Sequence, residues 1–188
     1  MTTANRLFGL EGEDLTGAES RALRGALNLE RRHVVALANA LRIGDREVTT
    51  ALLTNWERSK GRGYPTPLAN ALDALERAVE AWALDMAAED ADGRRLGDPA
   101  ILRRPLGAMR IHQVLELGAA GLPLTAAQLS ALDQGGGDFW QALADAAITR
   151  AATQLRREGR GVRVHLDQEP DEPIRPDPAG QSARSAPR

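Results

Sequence analysis

The feature that most constrains this chain is an apolar seam. Leu68, Leu72, Leu75, Val79, Trp82 and Met86 follow one another in steps of 4, 3, 4, 3 and 4. Steps alternating between three and four keep side chains on one stripe of an α-helix. A strand, with its period of two, scatters them over both faces. Thr66-Pro67 stands just ahead of the seam, a capping hydroxyl followed by proline at the first helical position, where the missing N–H costs nothing. The pattern predicts a long helix ending before Asp92-Gly93. Its stripe must be covered, either by the chain's own core or by a second copy. In the second case Leu75, Val79, Trp82 and Met86 form a subunit interface.

Shorter helices are predicted around it. Thr16 followed by Glu19 is a capping-box pattern, and Leu23, Ala26 and Leu27 continue it as an apolar stripe. Asn28 can cap a helix in which Val34, Leu37, Ala38 and Leu41 share a face, broken at Gly44-Asp45. Thr49 or Thr50 can cap a third helix with Leu53 and Trp56 facing inward, ending in the loop Gly61-Arg62-Gly63. Glycine and proline at Gly93, Gly97, Pro99 and Pro105 predict a linker over residues 92–105. Thr125 with Gln128 opens a short helix that stops at the glycines of 135–137, and Asp138 caps another running to Leu155. Val162, Arg163, Val164, His165 and Leu166 alternate strictly, as a half-buried strand does. Its partner is either residues 109–115 or the same strand of a second copy, met through Val162 and Val164.

The expected fold is mainly α. A helical N-terminal domain spans 15–91, with a linker over 92–105 and a small C-terminal α/β extension over 106–167 for dimerisation or interaction. Residues 1–14 read as a loose arm. From Gln168 onward, proline and charge dominate, a composition expected to be disordered.

Several functions are excluded. The chain has no cysteine, hence no disulfide, thiolate chemistry or cysteine-ligated zinc. No apolar run approaches the roughly 18 residues of a membrane span. The N-terminus lacks the charged and apolar regions of a secretory signal, so the cytoplasm is the expected compartment. His33, His112 and His165 lack ligand spacing, and the glycines of 135–137 are not followed by the Lys-Ser/Thr of a phosphate loop. Glu89, Asp90 and Asp92 fit a solvated helix end better than a calcium loop. Neither catalysis, nor a cofactor, nor a metal is expected.

The formal net charge of -2 conceals segments of opposite sign. Between Arg21 and Gly63, nine cations face four acids, giving 9 - 4 = +5. Over 70–98 three cations face eight acids, giving 3 - 8 = -5. A basic region beside a short exposed helix is what docking on duplex DNA requires. On the third helix Thr49, Thr50, Leu52, Thr54, Asn55 and Arg58 share the side away from the core. Asn55 can pair with adenine and Arg58 with guanine, while threonines suit base edges or serve as caps. Arg31, Arg32, Lys60 and Arg62 are the candidate phosphate contacts. Glu57 is better placed to hold a basic or backbone group than to read a base.

Three short helices, then N-W-E-R-S-K-G-R-G-Y-P, then a proline-started helix resemble the Cro/C1-type (Xre-like) helix-turn-helix family. Trp56-Glu57-Arg58 and Pro65 or Pro67 occupy the places of that family's aromatic-Glu element and following proline. Leu23-Arg24 and Leu37-Ala38 also fit. The turn over 42–48 is about five residues longer than the usual pattern, and Ser59 stands where glycine is common. The resemblance covers roughly a third of the chain. It implies a transcriptional repressor that places its third helix in the major groove of a palindromic operator as a homodimer. A reading from another class is a protein-interaction module, such as an antitoxin whose 100–188 region wraps a partner protein.

Overall fold

The computed structural model describes residues 15–91, 99–104 and 108–166. The loose arm expected over 1–14 and the tail over 168–188 lie outside them. In chain order the elements are α1 (Gly17–Ala26), α2 (Arg31–Ala40), α3 (Thr50–Arg58), α4 (Thr66–Ala91), β1 (Ala100–Arg104), α5 (Ala108–Val114), α6 (Ala126–Gly136), α7 (Phe139–Arg157) and β2 (Val162–Leu166). The chain is mainly helical, with a two-stranded parallel sheet towards the C-terminus.

Local chemistry explains the helix starts. The Thr16 hydroxyl accepts from Glu19 N–H while the Glu19 carboxylate accepts from Thr16 N–H, so α1 begins with two backbone donors satisfied. Thr125 and Gln128 do the same for α6. α2 departs from expectation. Its cap is Glu30, whose N–H donates to His33 Nδ1, whereas Asn28 sits in the preceding turn at φ 55. Asparagine tolerates that left-handed conformation better than most residues. Asp138 precedes α7, but its side chain makes no cap bond and reaches Arg32 and His33 instead.

The seam of α4 is covered by the chain itself. Leu68, Leu72, Leu75 and Val79 are fully buried, and Trp82 and Met86 nearly so, in a cluster continuous from Leu15 to Leu155. α4 packs along α7, whose buried face is rich in alanine: Ala144, Ala147, Ala151 and Ala152. Small side chains let two helix axes approach closely. This corrects the expected subunit interface at Leu75, Val79, Trp82 and Met86: a surface already buried in one copy is not available to another.

The linker over 92–105 needs a second correction, because it contains β1. β2 pairs with β1 in parallel register, Ala100 opposite Val162 and Leu102 opposite Val164. Its partner is thus neither residues 109–115, which lie largely in the helix α5, nor a second copy. Val162 is half-buried against the core, while Val164 is 49% exposed. Of the six residues expected to mediate dimer contacts, Val164 alone stays well exposed.

Ion pairs tie the elements together. Arg150 of α7 reaches Glu80 at 3.0 Å, Glu76 at 3.5 Å and the carbonyl of Ala26 at the end of α1 at 3.0 Å. Arg104 of β1 holds Asp145 of α7 at 2.6 Å. Among the described residues no helix is long and apolar enough to cross a membrane.

Candidate nucleic-acid interface

The third helix is fixed from beneath by a carboxylate. Glu57 is 1% exposed and accepts from Arg24 Nε of α1 at 2.6 Å, Arg31 Nε of α2 at 2.8 Å and the Tyr64 hydroxyl at 2.7 Å. Burial works to raise its carboxyl, but hydrogen bonds from Arg24, Tyr64 and Arg31 outweigh it and hold the group below the usual carboxylate range. Burial pushes the Tyr64 hydroxyl up, and the Glu57 carboxylate adds to this. Arg24 also donates to the Leu29 carbonyl at 2.7 Å, and Arg21 to the Glu57 carbonyl at 3.1 Å. Glu57 thus has the structural role expected of it. One side chain sets α3 against both preceding helices and the following loop.

That loop is clamped as well. Gly17 N–H donates to the Ser59 carbonyl at 3.3 Å and Gly63 N–H to the Leu15 carbonyl at 2.6 Å. A Cβ on Gly17 would lie 2.4 Å from the Trp56 carbonyl oxygen, and one on Gly63 would lie 2.5 Å from that of Thr16. Only glycine lets these backbones meet. The clamp positions Lys60 and Arg62, both exposed, beside the end of α3.

The outward side of α3 is only partly the one expected. Leu53 and Glu57 face the core, while Trp56 is half-buried, its ring edge-on to Tyr64 with centroids 6.4 Å apart. Thr49, Thr50, Asn55 and Arg58 are exposed, as are Ala51 and Leu52. Thr49 caps the helix, accepting from Leu52 N–H at 3.2 Å. Thr54 is half-buried, and its hydroxyl donates to the Thr50 carbonyl at 2.7 Å. Among the described residues neither Arg58 nor Lys60 forms an ion pair.

Arg31 and Arg32 stand differently. Arg31 is bound to Glu57, and Arg32 joins Glu30 at 2.9 Å and Asp138 at 2.8 Å. The hydrogen bond from His33 leads the causes that draw the Asp138 carboxyl below its usual range. The count of +5 already subtracts Glu57 and Glu30, so what the fold adds is Asp138 beside Arg32 and the division of the cations into those bound to carboxylates and those that are not.

The turn over 41–49 carries exposed groups that composition alone did not single out. Asn39 clamps it, donating to the Val48 carbonyl at 3.0 Å and accepting from Val48 N–H at 2.7 Å. Arg42 at φ 53 and Gly44 at φ 90 turn the chain inside that clamp. Arg42 and Arg46 point outward beside α3. The longer turn was the signal for them. Among the described residues no group of three or more His, Asp or Glu side chains could hold a metal ion. Comparison with protein-family models, curated proteins and solved structures gives no match for this chain.

Proposed function

We propose that this chain is a sequence-specific DNA-binding transcriptional regulator, a repressor of the Cro/C1-type helix-turn-helix class, with α3 as the element that enters the major groove. The observation that carries the reading is the outward side of α3. Thr50, Asn55 and Arg58 present polar groups there, flanked by Lys60 and Arg62, on a helix locked from behind by Glu57. Readers of base edges need such side chains on a rigid support, and phosphate contacts need cations beside them. Arg58 is assigned to guanine and Asn55 to adenine. Lys60 and Arg62 are assigned to phosphates, with Arg31 and Arg32 weaker contributors because their charge is already shared. Two copies on a palindromic site would supply the contacts that one short helix lacks.

The test begins with selection of bound sequences from a randomised duplex pool. Arg58→Ala is expected to relax preference at one base position by about 1–3 kcal/mol. Lys60→Ala is expected to weaken binding to all sequences alike. Unchanged binding in both variants would remove α3 as the reading element.

A further inference from the structure

The two-stranded sheet turns one face towards α7 and the other away from it. In a parallel pair, residues in register share a face, and alternate residues along a strand point to opposite faces. Ala100 and Leu102 are buried, and Arg104 donates to Asp145 of α7 at 2.6 Å, so these positions mark the inner face. Ile101 and Arg103 therefore lie on the outer face, beside their partners Arg163 and His165. Arg103, Arg163 and His165 are exposed, and Ile101 is half-buried at the fourth corner.

This arrangement works against the chain on its own. Neighbouring strands lie about 4.8 Å apart, and two residues along a strand span about 6.6 Å. Arg103 is thus roughly 8 Å from Arg163 on the diagonal, a distance at which long side chains interact and like charges repel. No acid occurs in 99–104 or 160–166, and among the described residues neither Arg103 nor Arg163 forms an ion pair. Arg104 is the contrast, since Asp145 answers its charge. An anion spread over the outer face relieves the repulsion. Cations that recur across neighbouring strands suit a ligand whose charges also recur at fixed intervals, as backbone phosphates do. A second copy laid face to face would instead set arginine against arginine. The helix behind the sheet is already about 10 Å across, and sheet and helix together are too thick for a major groove about 12 Å wide. The face can therefore meet a backbone but not base edges. We propose that the outer face of the β1–β2 sheet is a second nucleic-acid surface, on which Arg103 and Arg163 hold backbone phosphates without reading sequence. The choice of phosphate over another polyanion rests on the DNA-binding reading of α3. The cationic face itself does not.

The full-length chain is titrated with duplex DNA and followed by NMR, and by fluorescence anisotropy over a range of salt. The amide signals of residues 101–104 and 162–165 should shift as duplex is added, along with those of α3. Arg103→Gln with Arg163→Gln should make the salt slope shallower by about two, weaken binding to all sequences alike, and leave the bases selected from a randomised pool unchanged. Arg103→Lys with Arg163→Lys should retain the slope. Both arginines are exposed, so the urea midpoint should not move, and the signals of the unmodified chain decide even where a variant loses its fold. An unchanged slope in the glutamine variant, or sheet amides that stay still while those of α3 move, overturns the proposal and leaves the α3 reading intact. Sheet amides that move while Arg58→Ala and Lys60→Ala leave binding untouched support the sheet and sink α3 as the reading element. Polyglutamate that shifts the sheet amides as strongly as duplex at equal charge overturns the proposal and assigns the face to an acidic protein. No binding of duplex at low salt would sink both.

Discussion

Two buried glutamates, Glu57 and Glu76, illustrate how environment decides what a carboxylate does. Glu57 has three donors, from Arg24, Arg31 and Tyr64, and stays charged. Its folded carboxyl lies below the ordinary range, so its contribution is present above the unfolded pKa and is lost as pH falls through the folded value. Glu57→Gln should cost about 2–4 kcal/mol near neutral pH and weaken the acid-side loss of stability. Glu76 is 2% exposed, one of its oxygens lacks a hydrogen-bond partner, and the other meets Arg150 only at 3.5 Å. Burial outweighs Arg150 and raises its carboxyl. The folded chain therefore holds that proton more tightly than the unfolded chain, and stability falls as pH rises through the raised value. Glu76→Gln should remove that fall and raise the urea midpoint at neutral pH. Urea denaturation between about pH 3 and 8 checks both signs. The sequence pattern suggested that Glu57 holds a basic or backbone group. It could not show which, because Arg24 and Arg31 lie 33 and 26 residues away and only the fold brings them near.

Elements were legible where their signals are local. The capping boxes at Thr16 and Thr125 and the alternating β2 have the expected positions, because each follows from neighbours a few residues apart. α4 has the expected span but starts one residue early, at Thr66, with Ala69 N–H donating to the Pro65 carbonyl instead of Thr66 serving as cap. β1 was missed for the opposite reason. Ala-Ile-Leu-Arg-Arg follows a proline and does not alternate, and its partner lies some sixty residues on. The cover of the α4 seam was illegible too, since an apolar stripe has the same period whatever packs on it. Leu75→Ala should cost about 2–5 kcal/mol in unfolding without altering the sedimentation coefficient of the folded chain. A change of oligomeric state without loss of stability would restore the subunit interface. At the glycine clamp, Gly63→Ala brings a Cβ to 2.5 Å from the Thr16 carbonyl oxygen. Calorimetry should show a substantially lower Tm, and because the clamp also seats Lys60 and Arg62, DNA affinity should fall with it. An unchanged Tm would mean that the two backbones separate at little cost.

At the scale of the molecule, charge does more to set the functional reading than fold does. The helices, their caps and their shared core would support many roles, and function has to be argued from the site. What marks the site is that some cations serve the fold while others do not. Arg24, Arg31, Arg32, Arg104 and Arg150 are bound to carboxylates of the chain, whereas Arg42, Arg46, Arg58 and Lys60 form no ion pair among the described residues. The sequence showed the basic segment but not this division, which depends on where Glu57 and Asp138 come to lie. The central claim is that the second group meets DNA, Arg58 at a base edge and the other cations at phosphate. It is tested most directly by fluorescence anisotropy of a labelled duplex titrated with the full-length chain across a range of salt concentrations. Affinity should fall linearly on a log–log plot, with a slope of about -0.9 for each phosphate neutralised, and Lys60→Ala should make it shallower by about one. Affinity that is absent at low salt, or flat as salt rises, would contradict the account.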